Sequence, residues 1–407
     1  MKKNVRKVLA TVAVASMGVA SLAGCTKTPK TSSMTDVMNI ASELDSYSYN
    51  YKYSMTADGE TMEVELYGDC TKDAVSMSVK VEYDDMDLDY EAKDVMIATT
   101  DALYINLAEI EDVFLDGMDL GTYGLDAKWL KLEYGTEVEV ADATSTFNTM
   151  FEDIEDAYGD LIEKDGKEYV ITVDDNDTAQ EFLELTADMI EDNQDDWADM
   201  FVSSYDSFDY ETFLSTFMNN LFMEMNRTFD LGLTSSDISS AVDEVLADVD
   251  FEELEADIDE SYYSEMFEDL VEELRYMADE VDIEAVDGEI ELKAHQDGSE
   301  YVTSFYAAYD DGYDDFEVEF VSTITSEKVS VKAPSDDVMT VEEAICAALE
   351  TFDAEIYADD AEELIEEMLG SLEYLYYYDI EDIFDMGYYG DDYWDDYYDD
   401  YYYDDWY

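Results

Sequence analysis

The chain has 407 residues, 109 of them Asp or Glu and only 19 Lys or Arg, for a formal net charge of −90. That balance excludes nucleic acid, which needs a basic face against its phosphates, and it argues against docking on anionic lipid headgroups. It leaves cations, basic proteins and neutral molecules as expected partners, and the same acidity keeps an extracellular protein soluble.

The N-terminus has the three parts of an export signal. Lys2, Lys3, Arg6 and Lys7 precede an apolar run from Val8 to Ala20, which is shorter than the roughly 20 residues that a membrane span takes. Leu22-Ala23-Gly24-Cys25 follows. Small residues at 23 and 24 admit a peptidase to the backbone, and a cysteine at the cut supplies a thiolate to take a diacylglyceryl group. This run resembles the bacterial lipobox at every position. The resemblance implies that residues 1–24 are a lipoprotein signal peptide and that Cys25 carries acyl chains such as palmitate. The mature chain is then anchored to the cell membrane on its extracytoplasmic face, since two acyl chains hold a protein stably. Residues 25–35, with Lys27, Pro29 and Lys30, read as a tether. No later segment is long and apolar enough to cross a bilayer, so the expectation is a protein anchored to a membrane by its lipid without spanning it.

The body, residues 36–340, begins with a short helical pattern in which Val37, Ile40, Ala41 and Leu44 share a face. The period then changes to two. Tyr47, Tyr49, Tyr51, Tyr53 and Met55 alternate with polar residues, as in a half-buried strand. Asp58-Gly59 makes a turn. Met62, Val64 and Leu66 alternate in a second strand, and Val75, Met77, Val79, Val81 and Tyr83 in a third. Leu88 to Thr99, Ala102 to Leu107 and Trp129 to Tyr134 read as three more. The links are too short for crossover helices, so the strands are antiparallel.

Helical spacing returns at Phe147 to Ile162. After a strand through Tyr169, Ile171 and Val173, a helical insert covers about 177–279. Asp177 is the expected cap of its first helix, with Gln180 three residues on. Further helices are expected over Phe208 to Met225, Ser235 to Ala247 and Phe251 to Asp279. Strands resume at Glu289 to Ala294, Tyr301 to Tyr309, Phe316 to Ser326 and Val329 to Ala333, with Asp297-Gly298 and Asp311-Gly312 at the joins. Pro334 stops the sheet. A last helix is expected from Val341, within residues 341–370. Residues 371–407 are almost entirely Tyr and Asp, a self-repelling stretch without apolar period that reads as a disordered acidic tail. The fold class is α+β. Cys70 and Cys346 could pair outside the cell or remain as two buried thiols.

Catalytic motifs are missing from the sequence. There is one histidine, His295, and no G-x-S-x-G elbow, H-E-x-x-H, P-loop or dinucleotide fingerprint. Carboxylates are so numerous that no pair stands out as the acid and base of a glycosidase. Asp85, Asp87 and Asp89 have the spacing of a calcium loop, but Tyr90 stands where glycine is needed and Met96 where glutamate is needed. Asp174, Asn176 and Thr178 fail in the same way. The expectation is a binding protein that is not an enzyme and has neither cofactor nor defined metal site.

Asp101-Ala102-Leu103-Tyr104-Ile105-Asn106 with Lys128-Trp129-Leu130, and the closing Val331-Lys332-Ala333-Pro334-Ser335-Asp336, resemble the LolA-like and LppX/LprG-type bacterial lipoproteins and lipoprotein carriers. The likeness covers roughly residues 36–340. It implies a curved antiparallel sheet, an incomplete barrel covered by helices, whose concave face holds acyl chains. The helical insert is larger than that family leads one to expect, and the Tyr/Asp tail has no counterpart in it. Inward-facing strand residues are then the candidate ligand contacts: Tyr49, Tyr51, Tyr53, Val64, Leu66, Val79 and Val81. The ligand would be a lipid or another apolar molecule. The alternative is a non-catalytic surface protein with a filled core, which binds cations or basic partners through its acidic body and tail.

Overall fold

A computed structural model describes residues 29–57, 59–83, 88–114, 120–136, 154–206, 209–247, 260–281, 283, 288–310 and 315–351. The signal segment with Cys25, the residues Asp85, Asp87 and Asp311-Gly312, the start of the expected 147–162 helix and the Tyr/Asp tail lie outside the described residues. The chain divides into two compact units, Met1–Glu224 with Asp250–Ala354 and Met225–Val249 with Glu355–Tyr407.

The first unit is built on an open, twelve-stranded sheet. Its first strands are β1 (Ser46–Ala57), β2 (Glu60–Thr71), β3 (Ala74–Tyr83), β4 (Leu88–Thr99), β5 (Ala102–Asn106) and β6 (Trp129–Glu133). After them come β7 (Glu163–Asp165), β8 (Glu168–Val173), β9 (Glu289–Asp297), β10 (Glu300–Asp310), β11 (Asp315–Thr325) and β12 (Val338–Thr340). The spatial order is β12-β6-β5-β4-β3-β2-β1-β11-β10-β9-β8-β7. Strands adjacent in sequence pair as hairpins, and β1 closes the long connection by pairing with β11, Tyr53 opposite Phe320. All pairs are antiparallel except β12 with β6. The fold is therefore α+β with a mostly antiparallel sheet that does not close. Turn glycines stand where the hairpins need positive φ: Gly59 at 79° and Gly298 at 66°.

The core lies on one face of this sheet, here called the inner face. Helix α1 (Met34–Met38) and the 3-10 turn Ile40–Glu43 press Met34, Val37, Ile40 and Leu44 onto it. There they meet Tyr47, Ile171, Val173 and Tyr301, all 1 % exposed or less. Each such side chain contributes about 1.5–3 kcal/mol by leaving water. The stretch expected as a tether is bound to the sheet from Pro29 onward. The Pro29 carbonyl accepts from Gln296 Nε2 and from the Tyr301 hydroxyl, each at 2.8 Å, and Thr31 N donates to Gln296 Oε1 at 3.2 Å.

Helices α2 (Leu107–Phe114) and α3 (Ile154–Tyr158) are short. The insert opens with α4 (Asn176–Asp206) and closes with α7 (Glu260–Glu280), which pack together. Their shared core includes Ile190, Trp197, Phe267 and Val271, with Trp197 and Phe267 edge to face at 5.8 Å between centroids. The cap of α4 is Asp175, where Asp177 was expected. The Asp175 Oδ1 accepts from Thr178 N at 2.8 Å, which leaves Asp177 inside the first turn. Helix α5 (Tyr210–Phe229) runs across the boundary between the units, and α6 (Ser235–Leu246) belongs to the second, where Ile238, Val242 and Leu246 form its buried stripe.

One expected strand is different. Val329–Ala333 makes no ladder; it runs as irregular chain, and Val331 packs on the outer face against a cluster of Ile97, Ala102, Tyr104 and Trp129. That face of β4 to β6 is apolar and needs a cover, which the segment supplies with side chains and not with backbone pairing. The ladder is made instead by β12, Val338 opposite Trp129. The final helix α8 (Val341–Thr351) starts where the sequence indicates, and the rest of its expected length lies outside the described residues. Cys70 and Cys346 are both buried, and they do not form a disulfide with each other.

Candidate functional site

Directly opposed residues of antiparallel strands point to the same face, so the register defines rows across the sheet. One row runs Ile171, Leu292, Phe305, Phe320, Tyr53, Val64, Val81 and Tyr90. A parallel row includes Tyr51, Leu66, Val79 and Ala92. Tyr49 lies on the same strand face, opposite Gly68 and Ile324. All seven candidate ligand residues therefore share the inner face.

They do not share one environment. Tyr49 and Tyr51 are 8 % and 5 % exposed and belong to the core under α1. Their rings stack on each other at 5.2 Å, and Tyr51 stacks on Phe320 at 6.3 Å. The Tyr49 hydroxyl crosses over Gly68 and donates to the Ser76 carbonyl at 2.7 Å. Burial, with lesser contributions from Cys70 and Asp69, pushes its titration far above the ordinary tyrosine range, so this hydroxyl is a fixed donor. These two tyrosines are structural. Tyr53, Val64, Leu66, Val79 and Val81 are only half-buried.

The half-buried zone extends toward β6 beyond the seven candidate ligand residues. Met77, Met96, Ile105 and Leu130 form one cross-strand row, and Val75, Ala98, Leu103 and Leu132 form the next. All eight are half-buried. The sequence signal for the rows on β5 and β6 is the alternation Leu103-x-Ile105 and Leu130-x-Leu132. The inner face is thus apolar from β8 to β6, while its fully buried side chains concentrate on β1 and β8 to β11. On β2 to β6 most apolar inner-face positions retain contact with solvent. A face of this kind can hold an acyl chain or a similar apolar body.

His295 lies elsewhere, on the outer face, with Nδ1 3.4 Å from Glu168 Oε1 across the β8–β9 pair. Asn176 and Thr178 are in the first turn of α4, which is incompatible with a calcium loop there. Among the described residues there is no cluster of three or more His, Cys, Asp or Glu side chains fit to hold a metal ion, and no helix long and apolar enough to cross a membrane. Compared with protein-family models, with curated proteins and with solved structures, the chain finds no match.

Proposed function

We propose that the protein is a membrane-anchored extracytoplasmic lipoprotein, attached through Cys25, that holds a lipid or another apolar molecule on the inner face of its open sheet. The observation that supports this most directly is the half-buried apolar zone on β2 to β6, in register with Tyr53, Val64, Leu66, Val79 and Val81. Ligand sites are mostly apolar and largely pre-formed; Leu66 packs against the buried core, and Tyr53, Val64, Val79 and Val81 keep part of their surface in water. The docking of Pro29 on Gln296 and Tyr301 adds a geometric point. Only three residues lie between it and Cys25, so the backbone that carries the lipid is within roughly 14 Å of Pro29.

The test is mass spectrometry of an organic extract of the chain from Thr26 onward, purified without detergent and after incubation with bacterial membranes. The expected result is a non-covalent lipid near one per chain, lowered at least tenfold by Val81→Asp, which puts a charge into the zone at a half-exposed position. An empty extract from the wild-type chain would sink the reading. A second reading is supported by the charge of −90: the acidic body binds basic proteins or cations. Such binding weakens as salt rises, whereas capture of an apolar ligand does not.

A further inference from the structure

The opposite face of the same sheet has a cavity of about 560 Å³ that opens broadly to solvent, a volume within the ~300–1,000 Å³ of small-molecule sites. It exists because the ladder is interrupted there. Between β2 and β3 the pairing skips from Tyr67↔Ser78 to Cys70↔Val75, and β4 shifts register against β3 between Met77 and Val79. Asp94, on the bulged strand, has a φ of 48°. Two serines take over the lost backbone bonds: Ser76 Oγ accepts from Asp69 N at 3.2 Å and Ser78 Oγ from Asp94 N at 2.9 Å. Both are more than nine-tenths buried. Bulges of this kind re-aim side chains and occur beside functional sites.

Most lining residues have polar side chains, among them the carboxylates of Asp69, Glu91 and Asp94 and the ammonium of Lys93, although much of the exposed lining surface is apolar. Ser76 and Ser78 make the floor, and the hydroxyls of Ser48, Thr323 and Thr325 make one wall. Tyr67 stands half-buried opposite, its hydroxyl donating to Glu91 Oε1 at 2.6 Å. Burial and that hydrogen bond push the phenol up to about 12, and the same bond holds the Glu91 carboxyl below the ordinary glutamate range. Asp69 accepts from Ser48 Oγ at 2.6 Å through one oxygen. Lys93 lies 3.3 Å from Glu91.

We infer that this outer-face cavity is a binding site for a neutral saccharide. A sugar presents adjacent hydroxyls that donate and accept, and an ionised carboxylate is an acceptor with room for several donors. Asp69 and Glu91 have each committed one oxygen to a neutral hydroxyl, so each has its second oxygen for the sugar. Bonds to these ionised acceptors are the strong ones. Lys93 and the threonine hydroxyls supply donors to ring and hydroxyl oxygens, and the Tyr67 ring offers a flat apolar surface. A bare metal ion fits poorly, because Lys93 offsets part of the negative charge and no three carboxylates converge. This inference is independent of the lipid reading, which concerns the inner face.

The experiment is saturation-transfer NMR on the chain from Thr26 onward, against glucose, N-acetylglucosamine, maltose and cellobiose, repeated with Asp69→Asn and Glu91→Gln. Glu91 is solvent-exposed on the rim, so its amide variant keeps the fold; circular dichroism checks both variants. At least one sugar is expected to bind, with affinity at least tenfold lower in each variant and little change in about 0.5 M salt. The inference is overturned if none of the four binds, if binding is the same in both variants, or if spermidine displaces the sugar in a salt-sensitive manner.

Discussion

Gly68 sits in the middle of β2, where glycine ordinarily weakens a strand and marks a close approach. A Cβ placed there would lie 1.9 Å from the Ser76 carbonyl oxygen and 3.0 Å from the Tyr49 hydroxyl. Neither neighbour can yield freely. The carbonyl is backbone, and the hydroxyl is bonded to that same carbonyl from a buried ring. Gly68→Ala is therefore expected to destabilise the protein by about 1–3 kcal/mol, as overpacking does in a closed interior. The measurement is a urea unfolding midpoint at constant slope. A control at Gly59, where a Cβ meets nothing within 4 Å, isolates the cost of positive φ alone. If the two alanine variants lose the same stability, the close approach at Gly68 contributes nothing beyond backbone conformation. The residue scale also shows what alternation cannot: Tyr49 and Tyr53 read alike in sequence, yet one is spent on the Ser76 carbonyl and the other stands at the edge of the half-buried zone.

Elements were legible where a local rule and the packing agreed. Period-two alternation with Asp-Gly turns located β1 to β4, β9 and β10, because each strand has an apolar face set against the core and a polar face outside. Helix α6 starts at Ser235, where the sequence reading puts it, and Thr234 and Asp237 form a capping box there: Thr234 Oγ1 accepts from Asp237 N at 3.2 Å, and Asp237 Oδ2 accepts from Thr234 N at 3.0 Å. Thr234→Ala removes one half of it and is expected to cost the helix about 1 kcal/mol. Amide exchange in the first turn of α6 should then accelerate about fivefold, with the strands unaffected; unchanged exchange there would mean that the buried stripe of Ile238, Val242 and Leu246 alone sets local stability. The misplaced elements have a common cause. Val329–Ala333 alternates like a strand, and only the apolar outer face of β4 to β6, a tertiary fact, turns it into a cover. Two acidic residues two positions apart, Asp175 and Asp177, satisfy the same capping preference, and the geometry of Thr178 decides between them. Of the candidate sites, the inner face was readable as a period of two. The outer cavity was not, since its serines and threonines occupy positions that an alternating strand assigns to solvent.

At the scale of the whole molecule the dominant force besides burial is repulsion. A charge of −90 works against any compact state, and the described ion pairs do little to offset it. Lys52–Glu63 at 2.7 Å is half-exposed and Arg275–Asp188 at 3.0 Å is solvent-exposed; surface pairs of this kind contribute about 0–1 kcal/mol. Raising salt from about 0.02 M to about 0.5 M shortens the reach of the repulsion and is expected to raise the melting temperature. Lowering the pH from neutrality has the same sense at first, because protonation removes like charge. Three helix-capping carboxylates act in the opposite direction. Asp175 is held below the ordinary value of 3.8 by hydrogen bonds from the Thr178 backbone and side chain. Asp209 is lowered by the side chain and backbone of Thr212, and Asp237 by those of Thr234. A carboxyl that is more acidic folded than unfolded adds stability above its unfolded value and loses it as pH falls through the folded one. Their contribution is thus intact down to about 3.8 and disappears below it. Scanning calorimetry at low salt should accordingly show a melting temperature that rises as pH falls from 7, passes a maximum above 3.8 and then declines. At high salt the rise should flatten while the decline persists, since short hydrogen bonds are screened far less than distant charges. A melting temperature that falls steadily from pH 7 at low salt would show that contacts made by ionised carboxylates outweigh their mutual repulsion in this fold.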